Sequence, residues 1–237
     1  MDVCGTQGQK NEDRQPDDEG EYWRCTLIES TTRLRVGRGF GQNETEAAVA
    51  LWEQVKQRKA HQNTPPPFLS DGWGGHREAL LRVYGHVPTY TGRGRPPTCK
   101  RPSDEWHYTQ MVKQRDARGH LLGIDIRVIY GNADTLTLTG TRTAYVERTN
   151  LTARHMNARL TRNTLAFSKQ LTMLRVSSIW EDLVYNLTRA VKTLRIEVND
   201  GQRRWLPQSP AMKAGVVDHL WSIRELLTLV PIPTNSD

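Results

Sequence analysis

The run Tyr22-Trp23-Arg24-Cys25-Thr26-Leu27-Ile28 is rich in aromatic and β-branched residues and predicts a strand. Glu29-Ser30-Thr31-Thr32 reads as a turn, after which Arg33 to Phe40 alternates basic with small or apolar positions, as an antiparallel partner strand would. Asn43 precedes Glu46 by three residues, the spacing of a capping box. Ala47, Ala48, Leu51, Trp52 and Val55 then recur at helical period in a helix ending near Lys59. Pro65-Pro66-Pro67 forces an extended entry into Phe68-Leu69-Ser70-Asp71-Gly72-Trp73, so Asp71 falls at the tip of a short strand, before a glycine turn. A second helix, His76 to Tyr84, ends at Gly85.

From Val87 to Pro102 the chain has four prolines and the basic string Arg93, Arg95, Lys100 and Arg101 with no acid, which predicts an exposed basic loop. Trp106 to Gln114 and Leu121 to Tyr130 predict two strands of a long hairpin joined by Arg115-Asp116-Ala117-Arg118-Gly119. A Thr-rich bridge leads to Tyr145-Val146-Glu147 and a long polar helical stretch. Its bases are Arg148, Arg154, Arg159, Arg162 and Lys169, and its single acid is Glu147. Another helix, Leu171 to Ala190, is expected to turn Leu174, Ile179, Leu183 and Leu187 inward, and the tail closes with a short helix at Leu227.

Charge adds a partner to this picture. The 237 residues carry a net +7, but residues 1–21 hold seven acids against Lys10 and Arg14, leaving a strongly basic remainder. Such a body suits a polyanion, most often nucleic acid; a basic enzyme without such a partner is the alternative. Cys4, Cys25 and Cys99 are few and far apart, with no C-x-x-C pair. That argues against a disulfide framework and a structural zinc site and for a reducing compartment. With no apolar leader and no run of about 20 apolar residues, a cytoplasmic protein without a membrane partner is expected.

Strand, hairpin partner, helix, strand ending in a carboxylate, then a helix bearing another carboxylate is the order of a ribonuclease H-like fold. Folds of this kind gather acids from different elements around two divalent metals, and such hard cations need oxygen ligands. Asp71 and Glu147 are the best-placed candidates. The competing readings are structural: Asp71 as a turn former, and Glu147 as an acid favoured by the helix dipole. The seven scattered tryptophans read as core anchors rather than a base-stacking platform, and Gly92-Arg93-Gly94-Arg95 as a flexible loop.

Ser70-Asp71-Gly72-Trp73, followed by Tyr145-Val146-Glu147-Arg148-Thr149-Asn150-Leu151-Thr152-Ala153-Arg154 and Arg159 through Lys169, closely resembles DDE-type transposases of bacterial insertion sequences, specifically the insertion-sequence-one-like group. Thr32-Arg33-Leu34, Leu194-Arg195, Ser209-Pro210-Ala211-Met212 and Asp218-His219-Leu220-Trp221 extend the likeness over nearly the whole chain. The resemblance implies an α/β fold with a ribonuclease H-like core over residues 22–190. A basic loop and β-hairpin are inserted at about 86–134, and 191–237 form a helical C-terminal tail. It makes Asp71 the second catalytic acid and Glu147 the third, both metal ligands for two Mg²⁺ or Mn²⁺ ions.

The family's first acid lies on an opening strand in an Asp-Glu-x-Trp pattern. Here Met1 to Asn11 corresponds, with Cys4 where Trp is expected and Asp2 at or one residue past the catalytic position. Glu29 stands where the family often has a non-catalytic Asp, and Val191 where it has a His. The chain is thus expected to be truncated at its N-terminus, with 1–21 a poorly ordered acidic remnant. The implied function is metal-dependent DNA cleavage and strand transfer. DNA, both transposon ends and target, is the partner, bound through Arg93, Arg95, Lys100, Arg101, Arg148, Arg154, Arg159 and Arg162, and self-association into a homo-oligomer is left open. The alternatives are a catalytically inactive remnant that retains DNA binding, and a basic scaffold that binds neither metal nor DNA.

Overall fold

The computed structural model describes residues 2–5, 22–92, 94–140, 143–161, 165–166, 168, 170–199 and 201–228 of a mixed α/β chain. The chain divides into two compact units, Met1–Ile28 with Val36–Leu171, and Glu29–Arg35 with Thr172–Asp237.

The first unit holds two three-stranded sheets. One runs β1 (Asp2–Gly5), β2 (Trp23–Ile28) and β3 (Arg35–Gly41) in that order. β1 falls inside the segment expected to be poorly ordered, yet it pairs antiparallel with β2 and sets Asp2 opposite Thr26. The first helix, α1 (Glu44–Lys56), starts at the expected cap: Asn43 Oδ1 accepts the Glu46 amide at 2.9 Å, while Glu46 Oε2 accepts the amide of Gln42, one residue ahead of the cap, at 2.9 Å. Its buried face is the stripe expected from the sequence, Ala47, Ala48, Leu51, Trp52 and Val55. β3 carries glycine at every second position, and a Cβ on Gly39 would stand 1.9 Å from the Ala47 carbonyl oxygen. That face therefore admits only glycine where α1 lies against it.

The second sheet is β4 (Phe68–Asp71), β5 (Tyr108–Arg115) and β6 (Leu121–Tyr130), with β4 parallel to β5 and β5 antiparallel to β6. The parallel pairing needs a crossover, which contains α2 (Gly75–Tyr84). One aromatic chain ties these elements together. Trp52 meets Phe68 edge-on at 4.8 Å, Phe68 stacks on Tyr108 at 4.1 Å, and Trp106 meets Tyr84 at 6.3 Å and Tyr130 at 5.5 Å. Cys25 of β2 joins the same buried cluster, so α1 packs over strands of both sheets.

The Thr-rich bridge forms a short helix, α3 (Thr135–Thr139), and α4 (Ala144–Met156) follows. The long basic helix expected from Glu147 onward is shorter than its composition suggests. Asn157 turns extended, and its Oδ1 accepts the Arg159 amide at 3.1 Å, capping a separate 3₁₀ turn over Ala158–Leu160. Arg159 is therefore off the helix that carries Arg148 and Arg154. Competition from an Asn side chain for backbone amides is what ends α4 there.

In the second unit, α5 (Leu171–Leu183) runs into a π turn, Val184–Thr188, followed by the two-stranded ribbon β7 (Ile196–Glu197) and β8 (Trp205–Leu206) and by α6 (Pro210–Lys213) and α7 (Ile223–Thr228). Of the residues expected to turn inward, Leu174 is buried and Leu187 half-buried, whereas Ile179 and Leu183 are exposed. The buried face is Leu174, Ser178, Glu181 and Tyr185. Arg35, almost wholly buried, causes this rotation, because its guanidinium is held by Glu181 and by Asp182 at 3.1 Å and lies 3.9 Å from the Tyr185 ring centroid. A buried guanidinium must be matched by charge and hydrogen bonds, and that requirement outweighs burying two aliphatic side chains. Among the described residues no helix is long and apolar enough to cross a membrane.

Candidate functional site

Asp71 ends β4 and is half-buried. Its Oδ1 accepts the Trp73 amide at 3.1 Å, closing an Asx turn that fixes the carboxylate at the strand tip. Behind it, Ser70 Oγ and Tyr108 Oη lie 2.9 Å apart. Gln110 Nε2 donates to Tyr108 Oη at 2.7 Å and to the Trp73 carbonyl at 2.9 Å. This buried polar network anchors the turn from below, and burial pushes the Tyr108 phenol up to about 12. His76, at the start of α2, meets the Trp73 ring edge-on at 4.9 Å and is fully buried. Burial pushes its imidazole down to about 3, so it stays neutral and acts as packing for Trp73.

Glu147 lies in the first turn of α4. Lys113 Nζ of β5 donates to its Oε1, and Thr143 Oγ1 donates to the same oxygen at 3.0 Å. The Lys113 hydrogen bond, against a smaller opposing effect of burial, holds the Glu147 carboxyl below the usual carboxylate range. Asp71 is the register partner of Met111, and Lys113 is two residues further along β5. Paired residues and residues two apart share a sheet face, so Asp71, Met111 and Lys113 stand on one side of the sheet. α4 reaches that same side through Glu147, and Thr143, just ahead of it, through its 3.5 Å contact with the Met111 sulfur. The two carboxylates named from the sequence are thus brought against one short stretch of one strand.

A third carboxylate, Glu44, stands at this end. Glu44 at the start of α1 is raised above the usual range, first by burial and then by the charge of Asp71, while a hydrogen bond from the Trp73 side chain opposes both. In sequence it reads as an ordinary helix N-terminal acid, and only the fold sets it near Asp71. The Asp2 side chain lies outside the described residues. Among the described residues no group of three or more His, Cys, Asp or Glu is disposed to hold a metal ion.

The basic residues fall in separate places. Arg95, Lys100 and Arg101 are exposed on the loop after α2, where the backbones of His86 and Arg101 pair and Lys100 Nζ donates to the Arg82 carbonyl at 2.5 Å. Arg148 is exposed on α4 beside Glu147, and Arg154 is half-buried one and a half turns on. Arg159 donates to Ser168 Oγ at 3.3 Å. Arg93 and Arg162 lie outside the described residues. Compared with known proteins, the chain matches no family model, no curated protein and no solved structure.

Proposed function

We propose that the chain is a DDE-type transposase whose first unit is a ribonuclease H-like core that cleaves and joins DNA. The observation that carries this reading is the convergence of Asp71, at a strand end, and Glu147, at a helix start, on one face of β5. The element order supports it: three strands, α1, a strand ending in Asp71, a crossover helix and parallel strand, then a helix bearing Glu147.

The donor set fits Mg²⁺ or Mn²⁺, since Asp71 and Glu147 offer hard carboxylate oxygens and Glu147 already accepts a cation in Lys113. By the resemblance, Asp2 is the further ligand that a two-ion site requires. Ions held there would neutralise charge on a reacting phosphate and lower the pKa of an attacking water or hydroxyl. The chain's own residues supply position. The Trp73 amide holds the Asp71 carboxylate in one orientation, and Lys113 and Thr143 keep Glu147 ionised and aimed at β5. Arg148 stands beside Glu147 where a phosphate backbone would pass, and Arg95, Lys100 and Arg101 extend a second basic contact. Positioning and charge are most of what phosphoryl transfer asks of a protein. DNA as substrate accords with the reducing compartment expected from the cysteines.

The ion pair between Lys113 and Glu147 also favours a second reading, an inactive remnant that binds DNA with this carboxylate held by a lysine. Nicking of supercoiled plasmid in Mg²⁺ or Mn²⁺ separates the two. Metal-dependent nicking that is lost in both Asp71→Asn and Glu147→Gln supports the transposase. Salt-sensitive DNA binding without nicking supports the remnant, and absence of both overturns each.

A further inference from the structure

β6 is the outer strand of its sheet, so every second residue turns its N–H and C=O away from β5 with no partner strand among the described residues. Natural edges are usually blunted by proline, lysine, a bulge or brevity. β6 has ten residues and no proline or lysine, and its pairing with β5 is regular from Gly123 through Val128. Leu122, Ile124, Ile126 and Val128 alternate along one face and are all exposed, Leu122 to 70 %. On the opposite face Arg127 Nε donates to Asp125 Oδ2 at 2.7 Å.

The central five residues, Ile124-Asp125-Ile126-Arg127-Val128, are symmetric in character about Ile126. We propose that this edge pairs antiparallel with the same edge of a second copy of the chain, around a two-fold axis at Ile126. In that register Ile126 faces its own counterpart and Ile124 faces Val128. Asp125 faces Arg127 twice over, so each copy supplies both an acid and a base. A one-residue shift would set Asp125 opposite Ile126 and break the charge match; the pattern specifies this register, and an isologous contact closes at two copies. The two three-stranded sheets become one of six strands, and the exposed aliphatic rows become a continuous apolar band. Ile126 pairs with Met111 and Ile124 with Lys113, so the aliphatic row shares the sheet face of Asp71, but the pairing itself does not require the chemistry at Asp71 and Glu147.

Sedimentation equilibrium of the full chain from about 1 to 100 µM, the range suited to a small interface, tests it. The expected result is a reversible monomer–dimer equilibrium in the wild type and monomer in Ile126→Lys and in Arg127→Asp. Both variants should melt as the wild type does at concentrations where the wild type is monomeric, since these side chains are exposed. The double exchange Asp125→Arg with Arg127→Asp restores the opposed charges and should restore the dimer. A monomer throughout, which would leave the edge to a different protein, overturns the proposal. So do a dimer that survives both single substitutions, growth past two copies, or failure of the double exchange to restore pairing.

Discussion

Lys113 on β5 and Glu147 on α4, 34 residues apart in the chain, share an ion pair at Glu147 Oε1. The lysine stands on the carboxylate that the proposed chemistry would use for a metal, so the two cations compete. Lys113→Met is expected to tighten Mn²⁺ binding several-fold by calorimetry; unchanged or weaker binding would contradict the competition. The same variant carries a pH signature. The Glu147 carboxyl is depressed in the folded state, so its contribution is present above about 4.5 and is lost as pH falls through the depressed value. For so exposed a pair the effect is about 0.2–1 kcal/mol, and Lys113→Met should remove that acid-side loss of stability.

Affinity for duplex DNA is expected to fall with salt by about 0.9 log unit per neutralised phosphate per log unit of salt. Replacing Arg95, Lys100 and Arg101 by Gln should reduce the slope in fluorescence anisotropy titrations by about two to three phosphate equivalents. An unaltered slope would take the loop out of the interface.

Much of the first unit is legible in the sequence because its signals are local. Asn43 and Glu46 announce a helix start, five apolar residues at helical spacing announce its buried face, and Asp71-Gly72 announces a strand end. The parts that are not legible depend on partners distant in the chain. The buried face of α5 contains Glu181 because Arg35, 146 residues earlier, needs a counter-ion. The end of α4 depends on one Asn side chain preferring the next turn. Glu44 differs from any helix-initiating glutamate only through its neighbours Asp71 and Trp73. Of the candidate site, Asp71 and Glu147 were visible from the residues flanking them, while Lys113 looked like one more charge on a hairpin.

Glu181→Ala removes the more buried of the two carboxylates that neutralise Arg35 and, with Asp182 still 3.1 Å away, should cost about 1.5–3 kcal/mol in chemical denaturation. The triple variant Arg35→Met, Glu181→Leu and Asp182→Asn removes all three charges of the cluster and should recover most of that loss. Equal instability of the triple variant would show that the cluster contributes through packing rather than charge.

The C-terminal segment predicts a stability optimum in mild acid. His219 lies 2.6 Å from Asp218 and 3.0 Å from Glu225, and these contacts, Asp218 first, raise its imidazole above 6.5. Glu225 is lowered to about 2, chiefly by the Ser222 amide and hydroxyl and then by His219. The raised histidine stabilises fully below 6.5 and loses its contribution as pH rises through its folded value. The depressed glutamate stabilises above 4.5 and loses its contribution as pH falls toward 2. Amide exchange in α7 should therefore be slowest, after correction for intrinsic rates, between those limits. His219→Gln should remove the loss of protection on the alkaline side.

The central claim is that Asp71 and Glu147 hold a divalent cation in common, and thermal unfolding in Mn²⁺ tests it most directly. A ligand that binds only the folded chain stabilises it by about 2.7 kcal/mol at a hundred times its dissociation constant. The wild type should show a saturable rise in Tm with Mn²⁺, and Asp71→Asn and Glu147→Gln should each abolish that rise while folding normally in its absence. An unchanged rise in both variants, or none in the wild type, would contradict the account.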